Sequence, residues 1–296
     1  MTGQFSWNLV NDLREMWSLP FMLNAFRAGT AVAIVAPIVG WFMVLRRQSF
    51  AGHTLAMVGF PGAAAAAWLG LGLGVGYFVF SIAAALVMAG RPAGSTVHSE
   101  ESALVGTVQA FALAAGMLFV SLSGGFLNET TALLFGSFLG ITAGQVMALV
   151  IVAVVVLVVL AFIGRPLLFA SVDADVARAH GAPTGALAVG FLLVLAATAA
   201  EVGQITGALL VFALLVLPPA TAQALSPRPA VSLALSVVIG LVTVWVSLFV
   251  AYYSLYPVGF WLTTVGFGIY LAARSCVAVA ARVRDLHPAT ATVPTC

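Results

Sequence analysis

Long apolar stretches, separated by short polar turns, fill the chain from about residue 21 to residue 280. This pattern predicts about nine membrane-spanning helices. Their expected ranges are 21 to 45, 54 to 70, 72 to 90, 102 to 123, 145 to 163, 185 to 202, 204 to 222, 229 to 250 and 258 to 280. Crossing roughly 30 Å of hydrocarbon takes about 20 residues, and most of the stretches approach that length. We therefore expect an all-α, polytopic transmembrane helical bundle with about eight to nine spans.

Two interruptions lie inside what we expect to be a single transmembrane domain of residues 1 to 282. Residues 131 to 142 are apolar but too short to cross, which indicates a re-entrant or interfacial helix. Gly203, together with the adjacent prolines Pro218 and Pro219, predicts that the seventh stretch is a broken helix.

The arginines indicate how the chain is oriented. With alternating spans, one side of the membrane receives most of them, namely Arg46, Arg47, Arg91, Arg165, Arg178, Arg228, Arg282 and Arg284. Because cytoplasmic loops carry the excess of basic residues, we expect the N-terminus outside and the C-terminus inside. Residues 283 to 296 contain prolines and threonines without an apolar period, which predicts a disordered cytoplasmic tail.

The composition is typical of a membrane protein and argues against nucleic acid as a partner. Hydrophobic residues make up 62% of the chain, charged residues 7%, and the mean hydropathy is +1.15. A soluble domain is roughly half apolar and a quarter charged. The net charge of +2 is too small to indicate nucleic acid. Cys276 and Cys296 stand apart, so neither a disulfide framework nor a CxxC motif is available.

Residues 164 to 184 form the longest polar interval within the membrane region. Ser171 or Asp173 can cap a short helix here, and the acidic Asp175 suits its N-terminal dipole. Gly181 would end the helix. Such a helix in a cytoplasmic loop is either a connector held at the membrane surface or a docking element for a soluble partner, and composition alone does not separate these.

Few polar side chains at membrane depth could meet a transported ion, and each requires an explanation. His53 and Met57 share one helix face because they are four residues apart, and imidazole and thioether both bind transition metals. Taken alone, packing within the bundle is the simpler interpretation. Glu201 and Gln204 lie where two stretches meet. We expect Glu201 to be hydrated at a helix end, with a place on a permeation path as the alternative.

No motif in the sequence supports catalysis. HExxH, GxSxG and paired membrane aspartates are absent from the sequence. The glycines between residues 70 and 76 follow no predicted strand, so they do not form a phosphate-binding loop. A proton- or sodium-coupled carrier usually has more acidic residues at mid-membrane depth. These observations favour a transport subunit whose energy comes from elsewhere.

Residues 45 to 62, Leu-Arg-Arg-Gln-Ser-Phe-Ala-Gly-His-Thr-Leu-Ala-Met-Val-Gly-Phe-Pro-Gly, resemble the membrane permease subunit of ABC-type importers for zinc, manganese or iron. Residues 101 to 107, 134 to 141 and 171 to 183, the last leading to 207 to 222, resemble the same family in the same order. The likeness extends from about residue 20 to about residue 275. Each match alone is weak, but their order makes the resemblance specific.

The resemblance implies a permease in the bacterial inner membrane that works as a homodimer with the translocation path at its centre. Two ABC ATP-binding subunits would lie below it and a metal-binding receptor outside it. ATP would bind to the partner subunit, and this chain would carry the divalent metal ion without holding a cofactor of its own. Residues 171 to 183 would couple to the ATPase, and the residues concerned are Ser171, Asp173, Asp175, Arg178 and Gly181.

The chain departs from the family pattern in the second span. That pattern usually reads Gly-Asp-x-Leu-x-His, with the aspartate and histidine implied as metal ligands, whereas His53 and Met57 occupy these places. Coordination with a preference for softer ions is one outcome, and loss of direct ligation is the other. Two alternatives to a metal-ion permease stay open. They are a permease for metal chelates of the siderophore or cobalamin type and an ATP-independent secondary carrier.

Overall fold

The computed structural model describes residues 14, 16 to 90, 98 to 123, 136 and 140 to 286. These residues form an all-helical structure without strands. The helices are α1 (Pro20–Leu45), α2 (Ser49–Trp68), α3 (Leu73–Ala89), α4 (His98–Ser123), α5 (Ala143–Val172), α6 (Ala174–Ala179), α7 (Thr184–Thr206), α8 (Ala208–Leu225), α9 (Pro229–Tyr253) and α10 (Val258–Leu286). The prediction of an all-α bundle is confirmed.

Six of the described helices are long and apolar enough to cross a membrane, namely α1, α4, α5, α7, α9 and α10. Two shorter apolar helices accompany them, at Leu73–Ala89 and Leu210–Leu225. The predicted number of eight to nine spans stays a prediction, because length and composition alone support six. An expected interfacial helix at residues 131 to 142 lies mostly outside the described residues.

The bundle is organised around α1 and α7. Helix α1 packs against α5, α7, α8 and α9, while α2 and α3 pack against each other and against α7. Helix α4 lies on α2, and α10 lies on α8 and α9. Since lipid provides no hydrophobic drive between helices, such contacts depend on close packing. The helix that carries His53 and Met57, α2, is therefore held by neighbours on several sides.

The break near the seventh stretch is at Gly207, so the prediction of a break at Gly203 is wrong. Helix α7 continues through Gly203 to Thr206, and Gly207 alone separates it from α8. Gly207 has a φ of 78°, in the left-handed region that glycine adopts without a steric penalty. Pro218 and Pro219 lie inside α8 rather than breaking it, since neighbouring helices can satisfy the freed backbone groups in a membrane.

Two helices are longer than the hydropathy predicted. Helix α5 begins at a capping box, in which Thr142 Oγ1 accepts a hydrogen bond from the backbone of Gln145 and the Gln145 side chain accepts one from the backbone of Thr142. It continues through Pro166 to Val172, well beyond the predicted end at residue 163. Helix α10 reaches Leu286, so residues 283 to 286 of the predicted tail are helical. Residues 287 to 296 lie outside the described part of the chain.

Candidate translocation path and coupling segment

His53 and Met57 lie in the first half of α2. The His53 ring packs edge-on against Phe212 of α8, with ring centroids 5.0 Å apart. Its Nδ1 atom is buried and has no hydrogen-bond partner among the described residues. Met57 is buried with 6% of its surface exposed. An imidazole nitrogen without a partner and a thioether one helical turn away are available as ligands for a soft or borderline cation.

Glu201 lies within α7 and is fully buried, so the prediction of a hydrated carboxylate at a helix end is wrong. The physical reason is that α7 extends beyond Glu201 to Thr206 and packs against α3. Neither carboxyl oxygen has a hydrogen-bond partner among the described residues. A buried charge without a partner is costly, so this carboxyl is suited to hold a proton or a cation.

Gln204 lies one turn beyond Glu201 and reaches a cavity between α3, α5 and α7. Its Nε2 atom donates to the backbone oxygen of Ala200 at 3.3 Å. The cavity has a volume of about 470 Å³, and Tyr77 and Gln145 also line it. The cavity thus has amide and phenol groups among mostly apolar neighbours, and it lies at the end of the bundle where α5 begins.

Met57 lies at about the same depth as Glu201, whereas His53 lies nearer the start of α2. The ring of Tyr77 packs against both Gly59 of α2 and Gly203 of α7, so these two glycines are close in depth. His53 precedes Gly59 by six residues, or about 9 Å along the helix, whereas Met57 precedes Gly59 and Glu201 precedes Gly203 by two residues each, or about 3 Å. In the described part of the chain, no three His, Cys, Asp or Glu residues come together as a metal cluster. Met57 and Glu201 are therefore level with each other, and His53 lies about 6 Å away from that level.

The coupling segment, residues 171 to 183, contains the short helix α6. Asp173 is its N-cap, and its Oδ1 accepts hydrogen bonds from the backbone N–H groups of Asp175 at 3.1 Å and Val176 at 2.9 Å. This confirms the predicted cap. Asp175 and Arg178 form an exposed ion pair at 3.2 Å. Both charged side chains are therefore available on the surface of the segment.

The C-terminal side of α6 is closed by glycine, as predicted. Gly181 has a φ of 82°, and its N–H donates to the backbone oxygen of Arg178 at 3.0 Å. The ring of His180 packs edge-on against Phe169 of α5, with centroids 5.9 Å apart. Ala177 is fully buried. The helix is thus fixed to the bundle on one face while its charged residues remain exposed.

Ser171 is not a helix cap but lies in the last turn of α5, where its hydroxyl donates to the backbone oxygen of Leu167. It also accepts a hydrogen bond from Nη1 of Arg46 at 3.2 Å. Arg46 lies 5.5 Å above the ring of Phe191 of α7. Arg46 is not among the site residues predicted from the sequence, although its position in a polar turn beside a span is a usable signal. We call this end of the bundle, where Arg46 meets Ser171, the coupling end.

Known proteins are similar to this chain over most of its length. The model of the family described as ABC 3 transport family matches residues 18–277. The manganese transport system membrane protein MntC of Listeria monocytogenes is 27% identical over 243 residues, which cover 81% of this chain and 85% of that protein. The chelated iron transport system membrane protein YfeC of Yersinia pestis is 30% identical over 244 residues, covering 82% and 81% respectively.

A solved structure shares the fold. A chain in the structure of PsaBC from Streptococcus pneumoniae in complex with Fab superimposes with a TM-score of 0.80 at 23% identity. The match covers 90% of this chain and 95% of that chain. At this identity the likeness concerns the arrangement of helices, which is similar over nearly the whole length of both chains.

Proposed function

We propose, because the chain belongs to the ABC 3 transport family, that it forms the translocation path of an ATP-driven importer for divalent transition-metal ions such as zinc, manganese or iron. The chain is a multi-pass protein of the bacterial inner membrane and a permease of the ABC metal-importer type. The observation that carries the proposal is the family match over residues 18–277. It covers both the candidate path and the coupling segment.

The proposed complex contains two copies of this chain, two ABC ATP-binding subunits and one extracytoplasmic metal-binding receptor. The coupling end faces the cytoplasm in this arrangement, and the coupling segment contacts the ATPase. The exposed Asp175 and Arg178 and the capped helix α6 support this assignment. ATP binds to the partner subunit, so this chain is a transport subunit rather than an enzyme. It holds no resident cofactor, and the metal ion is its substrate.

In this proposal His53 and Met57 line the path, and Glu201 and Gln204 on α7 are weaker candidates. His53 Nδ1, which has no hydrogen-bond partner among the described residues, and the Met57 thioether favour a softer ion than an aspartate would. Two ligands do not complete a coordination sphere. The same pair from the second copy of the chain, or water, would supply the rest.

The test is metal uptake by the complete complex with His53→Ala plus Met57→Ala. We expect a lower uptake rate and a changed order of preference among manganese, iron and zinc. Met147→Ala is the control, because Met147 is 63% exposed and lies on α5 rather than on α2, which carries the pair. If the double variant keeps both the rate and the ion preference, the pair has no part in transport.

A second experiment tests the energy source. Membrane vesicles containing the complex are loaded with ATP, and uptake is compared between an active ATPase and one whose hydrolysis is abolished. We expect accumulation only with the active ATPase. Equal accumulation in both would favour a secondary carrier and contradict the proposal.

A chelate permease is the second candidate function, because the Yersinia pestis relative is named as a chelated iron transport system protein. Competition distinguishes the two functions. If the substrate is a free ion, excess unchelated manganese or iron reduces uptake of the labelled metal and an intact siderophore complex does not. The reverse result would favour the chelate.

A further inference from the structure

An apolar groove runs along the outside of the bundle, with α1 as its floor and α5 and α9 as its walls. Its wider section has a volume of about 690 Å³ and lies toward the end opposite the coupling end. Apolar side chains form most of this section, and one arginine, Arg27, also lines it. Representative apolar residues are Phe26, Ile34, Val150, Leu157 and Phe249. The groove therefore combines a surface suited to acyl chains with a single positive charge.

The same seam between helices continues toward the coupling end. A second section of about 350 Å³ is lined by Ile38, Phe42 and Leu233, again with one arginine, Arg165. Leu157 lines both sections, so they adjoin along α5. Each section of the groove thus has its own arginine.

The two arginines are separated by about the thickness of a bilayer core. Helices α1 and α5 run in the same direction, since Asn24 bonds to Ile141 near their starts and Arg46 bonds to Ser171 near their ends. Arg27 therefore lies close to the depth of residues 144 to 146. From there to Arg165 is about 20 residues along α5, or about 30 Å. The hydrocarbon core of a bilayer is also about 30 Å thick.

Neither Arg27 nor Arg165 makes an ion pair or a hydrogen bond to another described residue. Arginine at a membrane boundary requires a polar partner, and its planar guanidinium matches a phosphate group well. Trp17 and Trp245 line the wider section and are 56% and 48% exposed. Tryptophan is enriched at membrane interfaces, which places Arg27 at the level of lipid headgroups.

We propose that this groove binds anionic glycerophospholipids, one from each leaflet. The phosphate of the first lipid pairs with Arg27 and that of the second with Arg165, while their acyl chains lie along the seam between α5 and α9. Charge complementarity and the match to bilayer thickness select a lipid over an apolar partner, which would leave both guanidinium groups unpaired. The lipids fill the groove and hold α5 against α1. Because α5 leads into the coupling segment, bound lipid also fixes the position of that segment.

Native mass spectrometry of the full-length chain, titrated with phosphatidylglycerol or phosphatidylcholine, tests the proposal. We expect tighter binding of phosphatidylglycerol, with retained lipids from both sections. Arg27→Gln and Arg165→Gln should each weaken phosphatidylglycerol binding at one section by about fivefold, and the double variant should weaken it at both. Arg274→Gln is the matched control, because Arg274 is exposed on α10, which packs on α8 and α9. Its binding should equal that of the unmodified chain.

Ala31→Phe adds a second arm, because it narrows the wider section while leaving Arg27 in place. We expect this variant to lose the lipid that pairs with Arg27 and to keep the one that pairs with Arg165. Equal affinity for both lipids, or no effect of either arginine variant, would overturn the proposal.

A second copy of the chain is the rival occupant of the groove. Ala31→Cys, in a chain that also carries Cys276→Ser and Cys296→Ser, tests whether a second copy lies in the groove. Efficient disulfide formation between two copies in native membranes would show that protein covers the groove and would also overturn the proposal. Metal uptake plays no part in these measurements, so they are independent of the proposed transport function.

Discussion

Arg46 and Ser171 are 125 positions apart in the sequence, yet the guanidinium of Arg46 donates a hydrogen bond to the Ser171 hydroxyl at 3.2 Å. This contact joins the turn between α1 and α2 to the last turn of α5, directly before the coupling segment. Helix α2 carries the candidate path residues His53 and Met57. A movement of the coupling segment can therefore reach α2 through one short polar connection.

Arg46→Met should destabilise the chain, because it removes a partly buried hydrogen bond from a charged donor and the contact with the Phe191 ring. We expect a loss of about 1.5 to 3 kcal/mol in the free energy of unfolding. Thermal unfolding of the chain in detergent measures this. Arg178→Met is the control, since its ion pair with Asp175 is largely exposed and such pairs contribute little. Equal stability of the two variants would show that the Arg46 contact is unimportant.

Asp173→Ala should unfold α6 locally without unfolding the bundle. The change removes the acceptor for two backbone N–H groups and costs about 1 kcal/mol of helix stability. Because α6 has only six residues, its own hydrogen bonds cannot compensate for this loss. We expect faster proteolysis within residues 173 to 181 and weaker copurification of the ATP-binding subunit.

Asp173→Asn provides the contrast to this change, because asparagine caps helices as well as aspartate does. Proteolysis and copurification should both stay near those of the unmodified chain. If the asparagine variant is as defective as the alanine variant, the negative charge rather than the cap is what the ATPase requires.

The features predicted correctly from sequence depend on residues close together in the chain. Asp173 caps a helix whose first N–H groups are two and three residues away, and Gly181 ends it through bonds of similar range. The apolar stretches likewise contain enough residues to predict helices by themselves. Such features need no knowledge of which helices are neighbours in space.

The incorrect predictions concern features that depend on distant residues. Gly203 and Gly207 are equivalent in a hydropathy plot, but Gly203 packs against Tyr77 within α7, whereas Gly207 lies against Gly136 at the break. Burial of Glu201 follows from the packing of α3 against α7, which joins segments more than a hundred residues apart. The roles of His53 and Met57 remain predictions, since they depend on a second copy of the chain and a bound ion.

Gly76→Ala should disrupt the contact between α2 and α3. A Cβ atom at Gly76 would overlap the backbone oxygen of Gly62, which cannot move without shifting α2. Overpacking of this kind typically costs about 1 to 3 kcal/mol. Gly72→Ala is the matched control, because a Cβ atom there meets nothing within 4 Å. We expect a lower thermal midpoint and slower metal uptake for the first variant alone. Equal behaviour of the two would mean that this helix contact tolerates separation.

Glu201→Gln should leave the fold at least as stable as it is with glutamate. The side chain is fully buried, and neither carboxyl oxygen has a hydrogen-bond partner among the described residues, so an ionised carboxylate gains nothing that an amide of the same shape lacks. An uncharged side chain also avoids the cost of placing a charge at membrane depth. We expect an unchanged or higher thermal midpoint in detergent. A lower midpoint would reveal a stabilising partner for the carboxylate.

Uptake by the same variant separates a structural role for Glu201 from a transport role. If Glu201 meets the ion as it passes, Glu201→Gln lowers the metal uptake rate while the thermal midpoint is maintained. Gln204→Leu is the comparison, because Gln204 lines the cavity between α3, α5 and α7 beside Gly74 and lies one turn from Glu201. A reduced uptake rate in both variants would show that the path extends from His53 to this cavity. Normal uptake in both would limit the candidate path to α2 and the α2 helix of the second copy of the chain.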